Sequence, residues 1–65
     1  MHRMQDLTTA RRIRNAKRHT AAAIIYRDNA RAARTDAAAA QWRANARFEL
    51  ERARYWYALA GKGAR

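Results

Sequence analysis

The chain is 65 residues long and carries 15 lysines and arginines against 5 acidic residues, for a formal net charge of +10 at pH 7. That length allows one small domain, and the lack of cysteine excludes a disulfide framework and a thiolate metal site. Because no apolar run reaches about 18 residues and the N-terminus lacks the apolar segment of a signal peptide, we expect a cytoplasmic or intravirion protein, neither secreted nor transmembrane.

The chain is predicted to be all-α. It has no proline, and both glycines, Gly61 and Gly63, lie near the C-terminus, so nothing interrupts a helix between residues 6 and 60. Two short segments can form a turn, 28–29 and 35–36, and we favour the second because Thr35 can cap a following helix. The sequence therefore predicts a helical hairpin, with one continuous helix of about 50 residues as the alternative.

The predicted boundaries place helix 1 at residues 6–34 and helix 2 at 36–60, in a single unit with a short basic tail at 61–65. Asp6, Thr8 or Thr9 can cap the first helix, and Gly61 suits the position after the end of the second. Large apolar side chains are few for a stable core. We therefore expect self-association, or docking on a larger assembly, to complete the fold.

Helix 1 carries the densest positive charge. Residues 11–18 hold five cations in eight positions, and like charges three or four residues apart on a helix repel until an anion arrives. The planar fork of arginine matches phosphate, and an asparagine in the run can contact a base edge. We predict a nucleic-acid or anion-binding surface made of Arg11, Arg12, Arg14, Asn15, Lys17 and Arg18, continued by Arg27, Arg31 and Arg34.

The expected apolar faces of the two helices are unequal. The stripe on helix 1 is thin and consists of Leu7, Ala10, Ile13, Ala21, Ile24 and Ile25. On helix 2 a helical wheel gathers Trp42, Ala46, Ala53, Trp56 and Ala60 on one face, flanked by Leu50 and Tyr57. A second patch of helix 2 contains Phe48, Tyr55 and Leu59. Two apolar patches on one helix imply more than one neighbour.

Helix 2 is the predicted protein-contact element. The three consecutive aromatic residues at 55–57 point in three directions, so at least one is left for a partner. The predicted interface residues are Trp42, Phe48, Tyr55, Trp56, Tyr57 and Leu59. The alternative is that Trp42, Trp56 and Phe48 fill a dimer or hairpin core. Glu49 and Glu51 are expected as solvated ion-pair partners of Arg47, Arg52 and Arg54 on the same helix.

The sequence predicts neither an enzyme nor a cofactor. It has no serine, no cysteine and no glycine-rich phosphate loop. His2 and His19 are far apart with no carboxylate at ligand spacing, so both are expected at the surface and no metal site is predicted. A membrane partner is not expected either, because the apolar faces are rich in alanine and would insert weakly.

Two functions fit these features. The first is a small basic nucleic-acid-associated accessory protein, which binds the phosphates of DNA or RNA through its arginine-rich helix. The second is a structural or regulatory subunit that docks through its aromatic helix on a larger assembly, such as a phage virion, a polymerase or a ribosome. A protein partner or a homo-oligomer is expected in either case, because the chain alone buries so little.

Overall fold

The computed structural model describes the backbone of residues 2–63 and the side chains of residues 8–62. It contains two helices, α1 (His2–Ala32) and α2 (Asp36–Gly63), which pack against each other as an antiparallel hairpin. The predicted all-α hairpin is confirmed, and the alternative of one continuous helix is wrong. Neither helix, over the described residues, contains a stretch long and apolar enough to cross a membrane.

The break between the helices lies at residues 33–35, and Thr35 caps α2. Its hydroxyl oxygen accepts a hydrogen bond from the Ala38 N–H at 3.1 Å, and its carbonyl accepts one from the Ala39 N–H at 3.0 Å. Asp36 then places a negative charge in the first turn of α2, where it complements the helix dipole. These contacts hold the turn at residues 33–35, whereas residues 28–29 lie within α1 and form no turn.

The outer ends of the helices differ from the predicted caps. Because α1 begins at His2, Asp6, Thr8 and Thr9 lie within the helix and none of them caps it. Gly61 does not end α2, which continues to Gly63, and no described residue has a positive φ. Without proline, the helical hydrogen bonds continue through Gly61 at a cost of about 1 kcal/mol relative to alanine. Residues 64–65 of the predicted tail lie outside the described residues.

The helices meet along a seam of alanines. Among residues 8–62 six are buried, and all are alanines spaced seven apart on each helix: Ala16, Ala23 and Ala30 on α1, and Ala46, Ala53 and Ala60 on α2. A seven-residue repeat keeps one side of each helix against its partner over its whole length. Alanine has no bulk to hold the backbones apart, so the helices can pack closely.

A second row of larger side chains lies beside the alanines in the seam. Tyr26 and Trp42 pack with their ring centroids 5.5 Å apart, and His19 donates a hydrogen bond to Glu49 across 2.5 Å. His19 lies seven residues before Tyr26 on α1, and Glu49 lies seven residues after Trp42 on α2, so the two pairs are one repeat apart along the seam. The same step places Arg12 opposite Trp56. This row is half-buried and alternates with the alanine pairs, so it sets the pairing of the two helices.

The stripe predicted for helix 1 is wrong. Ile24 and Ile25 are more than half exposed, and Ala10 and Ala21 are exposed as well. Ile13 is half-buried, and the side chain of Leu7 lies outside the described range. The packed face of α1 instead follows the alanine repeat at residues 16, 23 and 30. The face predicted for α2 is correct, with its three alanines buried and both tryptophans half-buried.

The hairpin is thin and open on both flanks. Its Cα atoms span 52 × 14 × 9 Å, with a radius of gyration of 15.1 Å, whereas a compact chain of this length has a radius of about 11 Å. The accessible surface is 5530 Å², against about 4200 Å² for a compact monomer of this mass. A two-helix layer with an alanine seam therefore offers two long side surfaces to partners.

Candidate nucleic-acid interface

A groove lined by arginines lies on one flank of the hairpin, in the half near the turn. Its volume is about 470 Å³. Arg27 and Arg31 of α1 and Arg43 and Arg47 of α2 line it, above a floor of Ala30, Ala46 and Leu50. In each helix the two arginines are four residues apart, so they share one face. The antiparallel pairing then brings the two faces together.

The groove concentrates positive charge with little compensation. Among residues 8–62, the carboxylate at ion-pair distance from a lining arginine is that of Asp28, 3.8 Å from the Arg31 guanidinium. Both side chains are largely exposed, at 83% for Arg31 and 67% for Asp28, so this pair contributes little. Four guanidinium groups in one groove repel each other, and a bound phosphate would relieve that repulsion while accepting bidentate hydrogen bonds.

The predicted basic run forms a separate surface, farther from the turn. Arg11, Arg14, Lys17 and Arg18 are exposed on α1. Within residues 8–62, none of these four has a carboxylate at ion-pair distance. By the seven-residue repeat, Lys17 lies on the same line of α1 as the groove residue Arg31, whereas Arg18 lies toward the other flank of the hairpin.

Two residues of the run are withdrawn from that surface. The Arg12 guanidinium donates a hydrogen bond to the Leu59 carbonyl oxygen at 3.0 Å, so it joins the helices instead of facing solvent. That carbonyl lies near the C-terminus of α2, where a cation is favoured by the helix dipole. Asn15 is half-buried beside the seam. Arg34, at the turn, is exposed but does not line the groove.

Sequence reasoning missed Arg43 and Arg47 as part of a site. Arg27 and Arg31 were among the predicted residues, but Arg47 was predicted only as an ion-pair partner on its own helix, and Arg43 was not among the predicted binding residues. The sequence does contain a signal for this groove: two pairs of arginines, each with a spacing of four residues, lie at similar distances on either side of the predicted turn. A hairpin with a known register would have placed them together.

The predicted interface residues of α2 fall into two groups. Trp42, Trp56 and Leu59 are half-buried along the seam. Phe48, Tyr55 and Tyr57 are 57%, 55% and 45% exposed, so Phe48 does not fill the hairpin core. Tyr55 packs edge-on against Trp56 with centroids 5.4 Å apart, and the Arg52 guanidinium lies 5.9 Å from the centre of the Phe48 ring.

The acidic residues of α2 differ from expectation. Glu49 pairs with His19 across the seam, and this histidine is half-buried instead of lying at the surface. Within residues 8–62 the ion pairs are this one and Arg31 with Asp28, so the pairs predicted along α2 for Glu49 and Glu51 do not form at contact distance. The same part of the chain contains no group of three or more potential metal ligands.

Comparison of the chain with protein-family models, with curated proteins and with solved structures finds no match.

Proposed function

We propose that the protein is a small nucleic-acid-associated accessory protein that binds phosphates through its arginines. The observation that carries this proposal is the groove in which Arg27, Arg31, Arg43 and Arg47 converge and where, among residues 8–62, Asp28 is the one carboxylate at ion-pair distance. Paired guanidinium groups bind phosphate oxygens in a bidentate manner. The exposed charge on the rest of the surface favours a polyanion over a single small anion as the ligand.

Exposed charge on the hairpin is strongly one-sided. Among residues 8–62, twelve cationic side chains are exposed against three acidic ones, Asp28, Asp36 and Glu51. The hairpin is 52 Å long, and duplex DNA presents about one phosphate charge per 1.7 Å of its axis. A ligand that extends along the hairpin can therefore meet both the groove and the outward cations of residues 11–18.

The width of the hairpin favours contact with phosphates over base reading in a duplex. The major groove of B-DNA is about 12 Å wide and admits one helix, whose diameter with side chains is about 10–12 Å. Two helices side by side exceed that width. We therefore expect the hairpin to lie along the backbone of a duplex, with weak sequence preference.

Salt dependence of duplex binding tests the proposal. If the four groove arginines each neutralise one phosphate, the logarithm of the binding constant falls against the logarithm of salt concentration with a slope of about −3.6, and more steeply if the outward cations take part. Replacing Arg43 and Arg47 with alanine should reduce the slope by about 1.8. The matched control, Arg43→Lys with Arg47→Lys, keeps both charges and should keep the slope. Binding that is insensitive to salt contradicts the proposal.

The alternative, a subunit that docks on a larger assembly, is favoured by the exposed aromatic side chains of Phe48, Tyr55 and Tyr57 and by the large accessible surface. Affinity purification from the native host, with and without nuclease, separates the two functions. Partners that disappear after nuclease treatment support nucleic-acid association. Partners retained in stoichiometric amounts after treatment support docking on protein.

A further inference from the structure

The flank on the other side of the seam from the arginine groove carries all three asparagines of the chain. Asn15, Asn29 and Asn45 each precede a buried seam alanine by one residue, and in an antiparallel pair these positions lie on the same flank. All three are half-buried. We call this surface the asparagine flank; it also includes Arg18, Ile25, Phe48, Arg52 and Tyr55 by the same seven-residue repeat.

The amide groups of the asparagine flank are free to bind a ligand. None of the three asparagine side chains forms a hydrogen bond with another group in residues 8–62. Each amide offers two donors and one acceptor oxygen, the combination that pairs with the edges of nucleic-acid bases. The three asparagine amides lie along this side of the seam, and no asparagine lies on the opposite flank. They give the asparagine flank a polar floor.

Two aromatic rings border that floor. Phe48 and Tyr55 are seven residues apart on α2, so they lie on one line along the helix, and both are more than half exposed. Arg52 lies between them, with its guanidinium 5.9 Å from the Phe48 ring centre. Exposed rings interleaved with arginine are the arrangement on which unpaired bases stack, while the cation meets the phosphate.

The positive charge around the two rings favours a nucleotide strand over a second copy of this chain as the ligand. Arg18 on α1 and Arg52 on α2 border the rings, and both are exposed. A second copy of this chain packed face to face would bring these cations against their own counterparts. An unpaired nucleotide strand supplies negative charge for the cations, flat rings for the aromatics and donor and acceptor edges for the amides.

We propose that the asparagine flank binds single-stranded nucleic acid, with bases stacked on Phe48 and Tyr55 and phosphates held by Arg18 and Arg52. This inference rests on the proposed function and adds to it the strand type. The arginine groove contacts phosphates of any strand, whereas the asparagine flank requires bases that are not already paired and stacked in a duplex.

Fluorescence anisotropy with the full chain tests this, using a labelled single strand, as DNA and as RNA, and a duplex of equal length. Phe48→Ala and Tyr55→Ala should each weaken single-strand binding by about 5- to 150-fold and leave duplex binding within about twofold. Tyr57→Ala is the matched control, because Tyr57 is also exposed but lies on the flank of the arginine groove. Tyr55→Phe keeps the ring and should retain binding.

The outcomes separate this inference from the function on which it rests. If neither single strands nor duplexes bind, the proposed function fails, and the inference with it. If duplexes bind with the expected salt slope but the ring variants bind single strands normally, the inference alone fails. Far-UV circular dichroism must show that each variant is still helical. Ring variants that bind normally but no longer self-associate in sedimentation would identify the flank as an interface between copies and overturn the inference.

Discussion

The imidazole Nδ1 of His19 lies 2.5 Å from the carboxylate Oε1 of Glu49, and this contact joins the middle of α1 to the middle of α2. Both side chains are mostly withdrawn from solvent, at 26% and 17% exposure. They occupy the seam between alanine pairs, where no large apolar side chain is fully buried. A polar pair therefore provides one of the few specific contacts between the helices.

Breaking this pair should destabilise the hairpin. We expect His19→Ala and Glu49→Ala each to lower the free energy of unfolding by about 1–3 kcal/mol, because each leaves a half-buried polar partner without its hydrogen bond. The double variant should lose less than the sum, with a coupling energy of about 0.5–3 kcal/mol in urea unfolding. Arg31 and Asp28 form the control pair, and their coupling should be below about 1 kcal/mol because both are exposed. Equal coupling in the two pairs would contradict this role.

The alanine seam should not tolerate bulk. Ala23 is 1% exposed in the seam of α1, so Ala23→Leu must push the helices apart and should lower the free energy of unfolding by about 1–3 kcal/mol. Ala21→Leu, two residues away on the exposed side, adds the same side chain and should leave stability within about 0.5 kcal/mol. Thermal and urea melts followed by circular dichroism compare the two variants. A stabilised Ala23→Leu would show that the helices are not closely packed there.

The contrast between the two helices explains how much of the fold the sequence predicts. The hairpin and the packed face of α2 were predictable, because Thr35 marks the turn and tryptophans at 42 and 56 mark the seam. On α1 the large aliphatic residues Ile24 and Ile25 suggested the wrong face. Alanines did not mark the buried face clearly, because alanine is also favoured at exposed helix positions for its high helix propensity. The seven-residue alanine spacing on α1 is the better signal of its packed face.

The candidate sites were predictable only in part. Exposed cations in residues 11–18 follow from composition, but the withdrawal of Arg12 does not, because its hydrogen bond joins residues 47 positions apart in the chain. The groove likewise requires the register of α1 against α2, which depends on contacts such as Tyr26 with Trp42. Neither contact can be inferred from the pattern of a single helix.

Adjacent arginines should play different roles. Arg12→Ala should lower the free energy of unfolding by about 1 kcal/mol, because the Leu59 carbonyl loses a donor, and it should leave the salt slope of duplex binding unchanged. Arg11→Ala removes an exposed cation and should reduce that slope by about 0.9 if Arg11 contacts a phosphate, with little effect on stability. Urea melts and salt titrations below the melting temperature measure both quantities. If Arg12→Ala instead reduces the salt slope and Arg11→Ala lowers the free energy of unfolding, Arg12 belongs to the binding surface.

Salt should act on the free and the bound protein with opposite signs. Raising sodium chloride from about 20 mM to about 200 mM screens the repulsion among the arginines, so the melting temperature of the free hairpin should rise. The same change should weaken duplex binding. The variant with Arg43→Ala and Arg47→Ala has less repulsion in the groove, so its melting temperature should respond less to salt. A free protein that loses stability on this change would show that attraction between charges outweighs repulsion.

The alanine seam leaves the alignment of the helices nearly degenerate. Sliding α2 by seven residues along α1, about 10.5 Å, would still place alanine against alanine over most of the remaining overlap. The same slip would set His19 against a tryptophan, Trp42 or Trp56 according to its direction, and would separate His19 from Glu49. Tyr26 with Trp42 and His19 with Glu49 are unlike pairs that alternate along the seam, so only one alignment of the helices forms both of them. A variant with leucine at all four of these positions would retain the helices while losing the distinction between one alignment and the next.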